Sequence, residues 1–399
     1  MQNSLDMKRT FWIVAAVSFI NSLSFTAIIP VIYPYAQKFG LNDIQASLLL
    51  SVYALCQFLA TPILGKLSDK QGRKKWLLIS LTGTVLSNIL AAFAGSSLIL
   101  FAARMIDGLT GGNASIAQAI VVDTTNPKDR VKGFGIVGGA FGMGFVLGPA
   151  LSFFVQSLPT FAGISKFGMS FLLSSFFAFL GFLVVTFFLP ETLQNKDFEP
   201  ITLKTLGLEK LFKALTIPKL GTVFLLNFLS GLTFTIFTFT FQPFFLRVLG
   251  QSDQTLALIF SMFGIVGIVS QLFLLKPITQ KFKLSTILTL SFIIRGFIMI
   301  GMASFVSFWA FLPFSVLFAA INPFPQTIVS TLVSMYSKEK DQGINSGINS
   351  SYLSISNALG PLIGGLLAYF GYTQAILTTG FLFLLVAIYS YSVRAKLAT

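Results

Sequence analysis

"GKLSDKQGRKKWL", from Gly65 to Leu77, carries five basic residues (Lys66, Lys70, Arg73, Lys74 and Lys75) and one acid, Asp69. Long apolar stretches flank it on both sides. A short charged connection between two segments that avoid water is the pattern of a chain that crosses a bilayer and turns at its surface.

The composition agrees. Of 399 residues, 54% are hydrophobic and 10% charged, against roughly 25% charged in an average soluble domain. The mean hydropathy is +0.83. A soluble core cannot use that much apolar surface, so lipid is the expected solvent. The net charge of +14 raises nucleic-acid binding as a question. The basic residues sit in short clusters between apolar spans, which excludes it. Histidine is absent, and with it the usual proton shuttle and metal ligand. Cys56 is the single cysteine, so an intrachain disulfide and a multi-cysteine metal site are excluded. No carboxylate pair, metal cluster or phosphate-cradling loop stands out. Neither an enzyme nor a cofactor is expected. The first apolar segment, from about Phe11, is long and lacks a small-residue cleavage pattern, so no signal peptide is expected.

A spanning helix needs about 20 apolar residues. Phe167 to Leu189 holds no charge and makes one span; Asp341 to Arg394 encloses enough uncharged chain for two, with a turn near Gly371. Continued along the chain, this predicts helices over 9–36, 43–66, 75–95, 97–123, 129–155, 167–189, 219–246, 253–276, 284–305, 308–335, 341–368 and 372–393. Helices are the default because lipid leaves open backbone groups unsatisfied. Even-to-odd connections carry most of the positive charge: the opening stretch, then Lys128, Arg130 and Lys132, Lys196 through Lys219, Lys276 to Lys283, and Lys338 with Lys340. Lys8, Arg9, Arg394 and Lys396 add to the same side, and the opposite connections hold Lys38, Lys166 and Arg247. The excess predicts a multi-pass protein of the cell membrane with both termini in the cytoplasm.

The chain also repeats itself. "DRVKGFGIVGGAFGMGFVLGP" from Asp129 aligns without gaps with "DQGINSGINSSYLSISNALGP" from Asp341. Asp129, Gly135, Gly148 and Pro149 meet Asp341, Gly347, Gly360 and Pro361 at one offset (361 − 149 = 212). "LGKLSDKQGRK" has a weaker echo in "LKPITQKFK", where Lys70 and Lys281 differ by 211. The expected fold is therefore an all-α integral membrane protein, with twelve transmembrane helices in two pseudo-symmetric six-helix bundles. The bundles would cover residues 1–190 and 219–399, joined by a cytoplasmic linker at 191–218.

Duplicated six-helix halves are the plan of the major facilitator superfamily, and here the resemblance becomes specific. Gly65 to Lys74 is similar to that family's loop between its second and third helices. "RMIDGLTGG", Arg104 to Gly112, resembles its fourth-helix motif, with Asp107 where a neutral polar residue is more usual. Gly144 to Pro149 resembles its fifth-helix antiporter motif, although Ser152 and Phe153 stand where a glycine pair usually closes it; such a pair occurs in the second half as Gly364 and Gly365. Arg104 to Pro149 reads most like the tetracycline and multidrug efflux branch.

The residues have physical roles of their own. Gly65 and Gly72 permit close packing and a tight turn. Asp69 can face the positive end of a helix dipole. Arg73 can hold a carboxylate with two parallel bonds, with Asp123 as its best partner. The resemblance implies a charge relay among these groups, and with it a gate that latches one half against the other. In the fifth helix, glycines four apart let backbones approach, among them the pair Gly144 and Gly148, and Pro149 bends the helix. Asp107 lies about 14 Å into its span at 1.5 Å per residue, near the midplane. A charge there costs at least ~2.5–3.5 kcal/mol, and Arg104, three residues earlier, is on the same face. A carboxyl that gains and loses a proton as its partner leaves and returns suits proton antiport, so Asp107 and Arg104 are the expected proton-coupling pair. Arg295, about 17 Å into the ninth span, either stabilises the second half or binds an anion, and of the two a structural role is expected.

Substrate-cavity candidates come from four helices that the resemblance places around a central cavity. They are Asn21 and Phe25; Asn227, Phe234, Thr238 and Gln242; Asn322 and Gln326, beside Pro323 and Pro325; and Asn345, Asn349 and Tyr352, which with Ser356 form one polar helical face. Polar groups among aromatic rings suit a bulky amphipathic guest. Most of the 46 phenylalanines are expected to meet lipid. The leading expectation is a secondary active transporter that exports lipophilic, drug-like or tetracycline-like small molecules by proton antiport with alternating access. The alternative is a facilitator or proton symporter for a small solute such as a sugar. The expected partners are a small-molecule substrate, protons and the lipid bilayer, with no nucleic acid, and a monomer is expected.

Overall fold

The structure, a computed structural model, describes residues 2–125, 130–160, 163–193, 208–338 and 341–397. Lys128, Asp129, Lys196, Lys340 and linker positions 194–207 lie outside the described residues. The helices are α1 (Gln2–Lys38), α2 (Asp43–Gln71), α3 (Arg73–Ala92), α4 (Ser97–Leu109), α5 (Asn113–Thr124), α6 (Arg130–Gln156), α7 (Lys166–Phe188), α8 (Leu208–Ala214) and α9 (Leu220–Pro243). A π-turn over Phe244–Val248 extends α9. The series continues with α10 (Asp253–Phe273), α11 (Leu275–Lys281), α12 (Leu284–Ser304), α13 (Phe308–Ile321), α14 (Pro323–Tyr336), α15 (Gln342–Tyr369) and α16 (Tyr372–Val393). Among the described residues no strand occurs.

Ten helical stretches are long and apolar enough to cross a membrane. The other two expected spans take a different form. Residues 97–123 are not one helix but two, α4 and α5, with the chain unwound from Thr110 to Gly112. The 129–155 span is α6, whose apolar part is the shorter stretch Gly142–Gln156. Large side chains that face outward, such as Trp309 at 79% exposure and Leu98 at 77%, are apolar. A hydrocarbon solvent carries no penalty for that.

The opening stretch is mostly helix rather than loop. α2 continues through Gln71, and Gly72 alone makes the turn into α3. Its φ of 115° is a conformation open to glycine and strained for other residues. Gly65 lies within α2 with open space around it, so it packs closely against nothing, contrary to the expectation for it.

The chain divides into two compact units, Met1–Phe39 with Val52–Gly207, and Gly40–Ser51 with Leu208–Thr399. In the first unit α1 packs on α5, α6 and α7, and α3 on α4 and α7. Val17, Leu81, Ile116, Ile120 and Val185 fill the space between them. In the second, α9 packs on α14, α15 and α16, and α12 on α13 and α16. Its core is aromatic. Phe237 and Phe318 lie 4.4 Å apart, and Phe241 stacks on Phe311 at 5.6 Å and 7°. These rings are buried, so a whole cluster of phenylalanines departs from the expected lipid contact. Phenylalanine pairs of this geometry add about 0.5–1.5 kcal/mol each beyond the area they bury.

The repeat is visible as packing. In the first unit Thr26 donates to the Gly144 carbonyl at 2.8 Å, and a Cβ on Gly148 would strike Thr26. In the second, Thr235 donates to the Ser356 carbonyl at 3.0 Å, and a Cβ on Gly360 would strike Thr235. Gly144 and Ser356, like Gly148 and Gly360, differ by 212 residues. Ser152, in place of the expected glycine, bonds Ser170 of α7 at 2.8 Å.

Candidate functional site

The unwound turn between α4 and α5 organises the first unit. Irregular backbone at membrane depth is tolerated where protein satisfies it. Ser80 of α3 does this from both sides, donating to the Thr110 carbonyl and accepting the Gly112 N–H at 3.0 Å. Gln57 of α2 donates to the Gly111 carbonyl at 3.3 Å. One turn before the break, Arg104 Nη1 donates to Asp107 Oδ2 at 2.8 Å, and the side chains are only 3% and 8% exposed. The Arg104 guanidinium lies over the Tyr53 ring at 4.1 Å, a distance for a favourable cation–π contact. Tyr53 stacks on Phe25 at 5.7 Å and accepts from Gln57 at 3.0 Å. The hydroxyls of Thr84 and Ser87 face the Asp107 carboxylate. Just past the break, Asn113 donates to Asn21 at 2.9 Å. Asn21, Phe25, Arg104 and Asp107 thus come together around one break, with Tyr53, Gln57, Ser80 and Asn113, which are not among the sequence candidates. The glycine pair Gly111–Gly112 was the signal available for the break. Arg104 Nε and Asn113 Oδ1 are buried without a hydrogen-bond partner, so the site has polar capacity left over.

A second cluster surrounds the start of α3. Arg73 Nε donates to Asp123 Oδ2 at 3.0 Å, and the same guanidinium pairs with Asp69 and donates to Ser68 at 2.8 Å. Glu191 lies just past α7, where the sequence predicts the start of a linker. Its carboxylate accepts from the backbone N–H of Arg73 at 2.8 Å and Lys74 at 3.2 Å, and from Thr192 and Leu193 at 3.0 Å. It is a negative cap on the positive end of α3. Lys74 reaches the Thr186 carbonyl near the end of α7 at 2.8 Å, and Thr192 donates to Asp123 at 3.2 Å. These bonds fasten α2, α3, α5 and α7 within the first unit. They are a brace inside that unit, where the expectation was a latch from one half to the other.

In the second unit some of the polar candidates join helices and others bond only within their own helix. Asn227 donates to the Asn349 carbonyl at 2.9 Å, and Ser356 to the Phe228 carbonyl at 2.7 Å. Tyr352 donates to the Leu211 carbonyl of α8 at 2.7 Å and stacks on Phe224 at 5.8 Å. The polar face of α15 is thus a seam with α8 and α9. Asn345 donates to Ser337 at 2.8 Å. Gln242 is fully buried and bonds the Thr238 carbonyl in its own helix at 3.2 Å, while Thr238 in turn bonds the Phe234 carbonyl at 2.9 Å. Asn322 accepts from Arg295, and Gln326 is exposed. Phe234 is half-buried on α9. No group of three or more His, Cys, Asp or Glu able to hold a metal occurs among the described residues.

A membrane-embedded helical chain, internally repeated, with a broken span lined by polar groups, is the architecture of a transporter. Comparison with known proteins bears this out. The description "Major Facilitator Superfamily" belongs to the family whose sequence pattern matches residues 14–226 and 223–397. The chain is 27% identical over 357 residues to the tetracycline resistance protein, class B, of Escherichia coli, covering 88% of this chain and 86% of that one. It is 25% identical over 388 residues to multidrug resistance protein 2 of Bacillus subtilis (strain 168), covering 96% and 94%. The crystal structure of the human organic anion transporter MFSD10 (TETRAN) superposes with a TM-score of 0.74 at 22% identity, over 96% of this chain and 99% of that one. The chain belongs to the Major Facilitator Superfamily. It is a multi-pass membrane transporter of small molecules, not an enzyme.

Proposed function

We propose that the protein exports lipophilic, drug-like or tetracycline-like molecules by proton antiport with alternating access. The observation that carries this reading is the buried Arg104–Asp107 pair, 2.8 Å apart beside the unwound turn of a membrane-embedded segment. An opposite charge within a few ångströms favours the ionised carboxylate. Movement of Arg104 away from Asp107 would therefore let the carboxyl take a proton, and its return would expel it. Arg104 also lies over the Tyr53 ring, and among the described residues Asp107 is the acid it pairs with. The resistance-protein relatives support the export direction and the class of cargo.

In this reading the chain makes twelve crossings in two six-helix bundles, over residues 1–190 and 219–399, with 191–218 as linker. It works as a monomer in the cell membrane with both termini in the cytoplasm. Asn21 and Phe25 contact substrate beside the coupling pair. Phe234, Thr238 and Gln326, which no described hydrogen bond ties to another helix, serve the same role, as does Asn349, whose side-chain oxygen is buried without a partner; Asn227 and Tyr352 hold the α15 seam, and Asn345 ties α15 to the end of α14. Asp69, Gly72, Arg73 and Asp123, with Gly65 of the same motif, form the gating charge relay, and Gly144, Gly148 and Pro149 the packed, kinked face of α6 that seals the path. The test is proton movement in reconstituted vesicles on addition of tetracycline or of a lipophilic cation. Movement that requires the added compound supports antiport; no movement with either would sink it.

A further inference from the structure

The second unit has a joint at the equivalent place. α13 ends at Ile321, α14 begins at Pro323, and Asn322 is the joint; its backbone stays helical (φ −57°, ψ −37°) and its N–H bonds the Phe318 carbonyl at 2.9 Å, so the span does not unwind there as it does at Thr110–Gly112. Asn322 and Thr110 differ by 212 residues, the offset of the sequence repeat. In the first unit the residue that abuts the break from the neighbouring helix is Gly83, where a Cβ would strike the Thr110 side chain. The position 212 residues after Gly83 is Arg295. Arg295 Nη2 donates to both the Asn322 carbonyl and Asn322 Oδ1, the latter at 2.8 Å. The same two positions therefore touch in both units. In the first, Ser80, one turn before Gly83, satisfies the Thr110 carbonyl; in the second, Arg295 itself satisfies that of Asn322.

Arg295 is an unusual choice for this task. It is 2% exposed, and no ion pair to it occurs among the described residues. The Phe318 and Phe383 rings flank its guanidinium at 5.8 and 5.6 Å. Its Nε is buried without a hydrogen-bond partner. Burying a charge in a membrane helix is costly, and such residues persist where they act. Pro323 and Pro325 bring no N–H, so the Ala319 and Ile321 carbonyls lose their i+4 donors and the helix is weakened on either side of Asn322. Ser270 of α10 bonds the neighbouring Ala320 carbonyl, so α10 and α12 both grip the joint.

We propose that Arg295 is a positioning residue of the transport cycle: it clasps Asn322 and fixes the angle between α13 and α14, and release of the clasp lets the two halves of this span move separately. This rests on membership of the transporter family and not on proton coupling. The primary test is hydrogen–deuterium exchange of the intact protein in nanodiscs, compared over Phe318–Thr327 and over Ile106–Ala114. Arg295→Met, which removes the charge and keeps an apolar side chain of comparable length, is expected to raise exchange in Phe318–Thr327 at least tenfold and to change Ile106–Ala114 less than twofold. Arg295→Lys is expected to restore more than half of the protection. Asn322→Ala is expected to loosen the same segment, with the double variant no looser than Arg295→Met alone. Ser80→Ala is expected to loosen Ile106–Ala114 instead. In vesicles, with tetracycline as probe, Arg295→Met is expected to lower kcat at least fivefold with KM within twofold. Unchanged exchange over Phe318–Thr327, or a rise spread evenly through the second unit, would overturn the clasp, as would a KM change with kcat intact. The exchange result does not depend on the cargo, so a transporter that ignores tetracycline would count against the export reading and leave the clasp to be judged on exchange.

Discussion

Arg104 and Asp107 form an ion pair 2.8 Å long across one turn of α4, and neither side chain reaches the surface. Exchange of Asp107 for Asn keeps the shape and removes the titratable group. Substrate-dependent proton movement in vesicles is expected to fall by tenfold or more, equivalent to ~1.4 kcal/mol at the coupled step. Insertion should match the parent protein, while stability is expected to fall because Arg104 is left buried without its partner. Proton movement that persists in Asp107→Asn would remove the residue from the mechanism.

The brace at the start of α3 gives a prediction about stability. Glu191 accepts four backbone N–H groups, two of them from the first turn of α3. Glu191→Ala is expected to lower the unfolding free energy by about 0.5–2 kcal/mol, the range for a lost helix cap. Glu191→Gln should fall between the two. The check is the midpoint of thermal unfolding in detergent, and equal midpoints for all three proteins would show that the cap is idle.

Arg73 divides one guanidinium among Asp123, Asp69 and Ser68. Arg73→Lys keeps the charge but loses the planar fork, so it should behave more like Arg73→Ala than like the parent protein. A double-mutant cycle of Arg73→Ala with Asp123→Asn is expected to return an interaction of about 0.5–3 kcal/mol. Strict additivity would mean that the pair is not coupled.

Glycine packing separates positions that look alike in sequence. At Gly148 an added methyl group would meet the Thr26 hydroxyl and, at 2.9 Å, the Ala27 nitrogen; at Gly139 it would meet nothing within 4 Å. Gly148→Ala should destabilise by about 1–3 kcal/mol through overpacking. Gly139→Ala and Gly65→Ala should lie within about 0.5 kcal/mol of the parent or improve on it through helix propensity. Gly360→Ala, against Thr235, should behave like Gly148→Ala. Equal effects at Gly139 and Gly148 in the unfolding midpoint would refute the packing account.

The sequence by itself determined the membrane class, most of the helices and the repeat, because hydropathy and span length act locally and lipid permits little else. It also placed Arg104 beside Asp107, since residues three apart on a helix are neighbours, and it singled out Asp123 for Arg73. Tertiary structure decided the rest. The identity of Glu191 as a cap, the closure of the α15 polar face against α8 and α9, and the meeting of Arg295 with Asn322 each join residues from different helices. The break at Thr110–Gly112 persists because Ser80 and Gln57, on two other helices, complete its hydrogen bonds. A polar side chain in a span must find a partner, and the sequence states that need; only the packing of one helix on another selects which partner it finds.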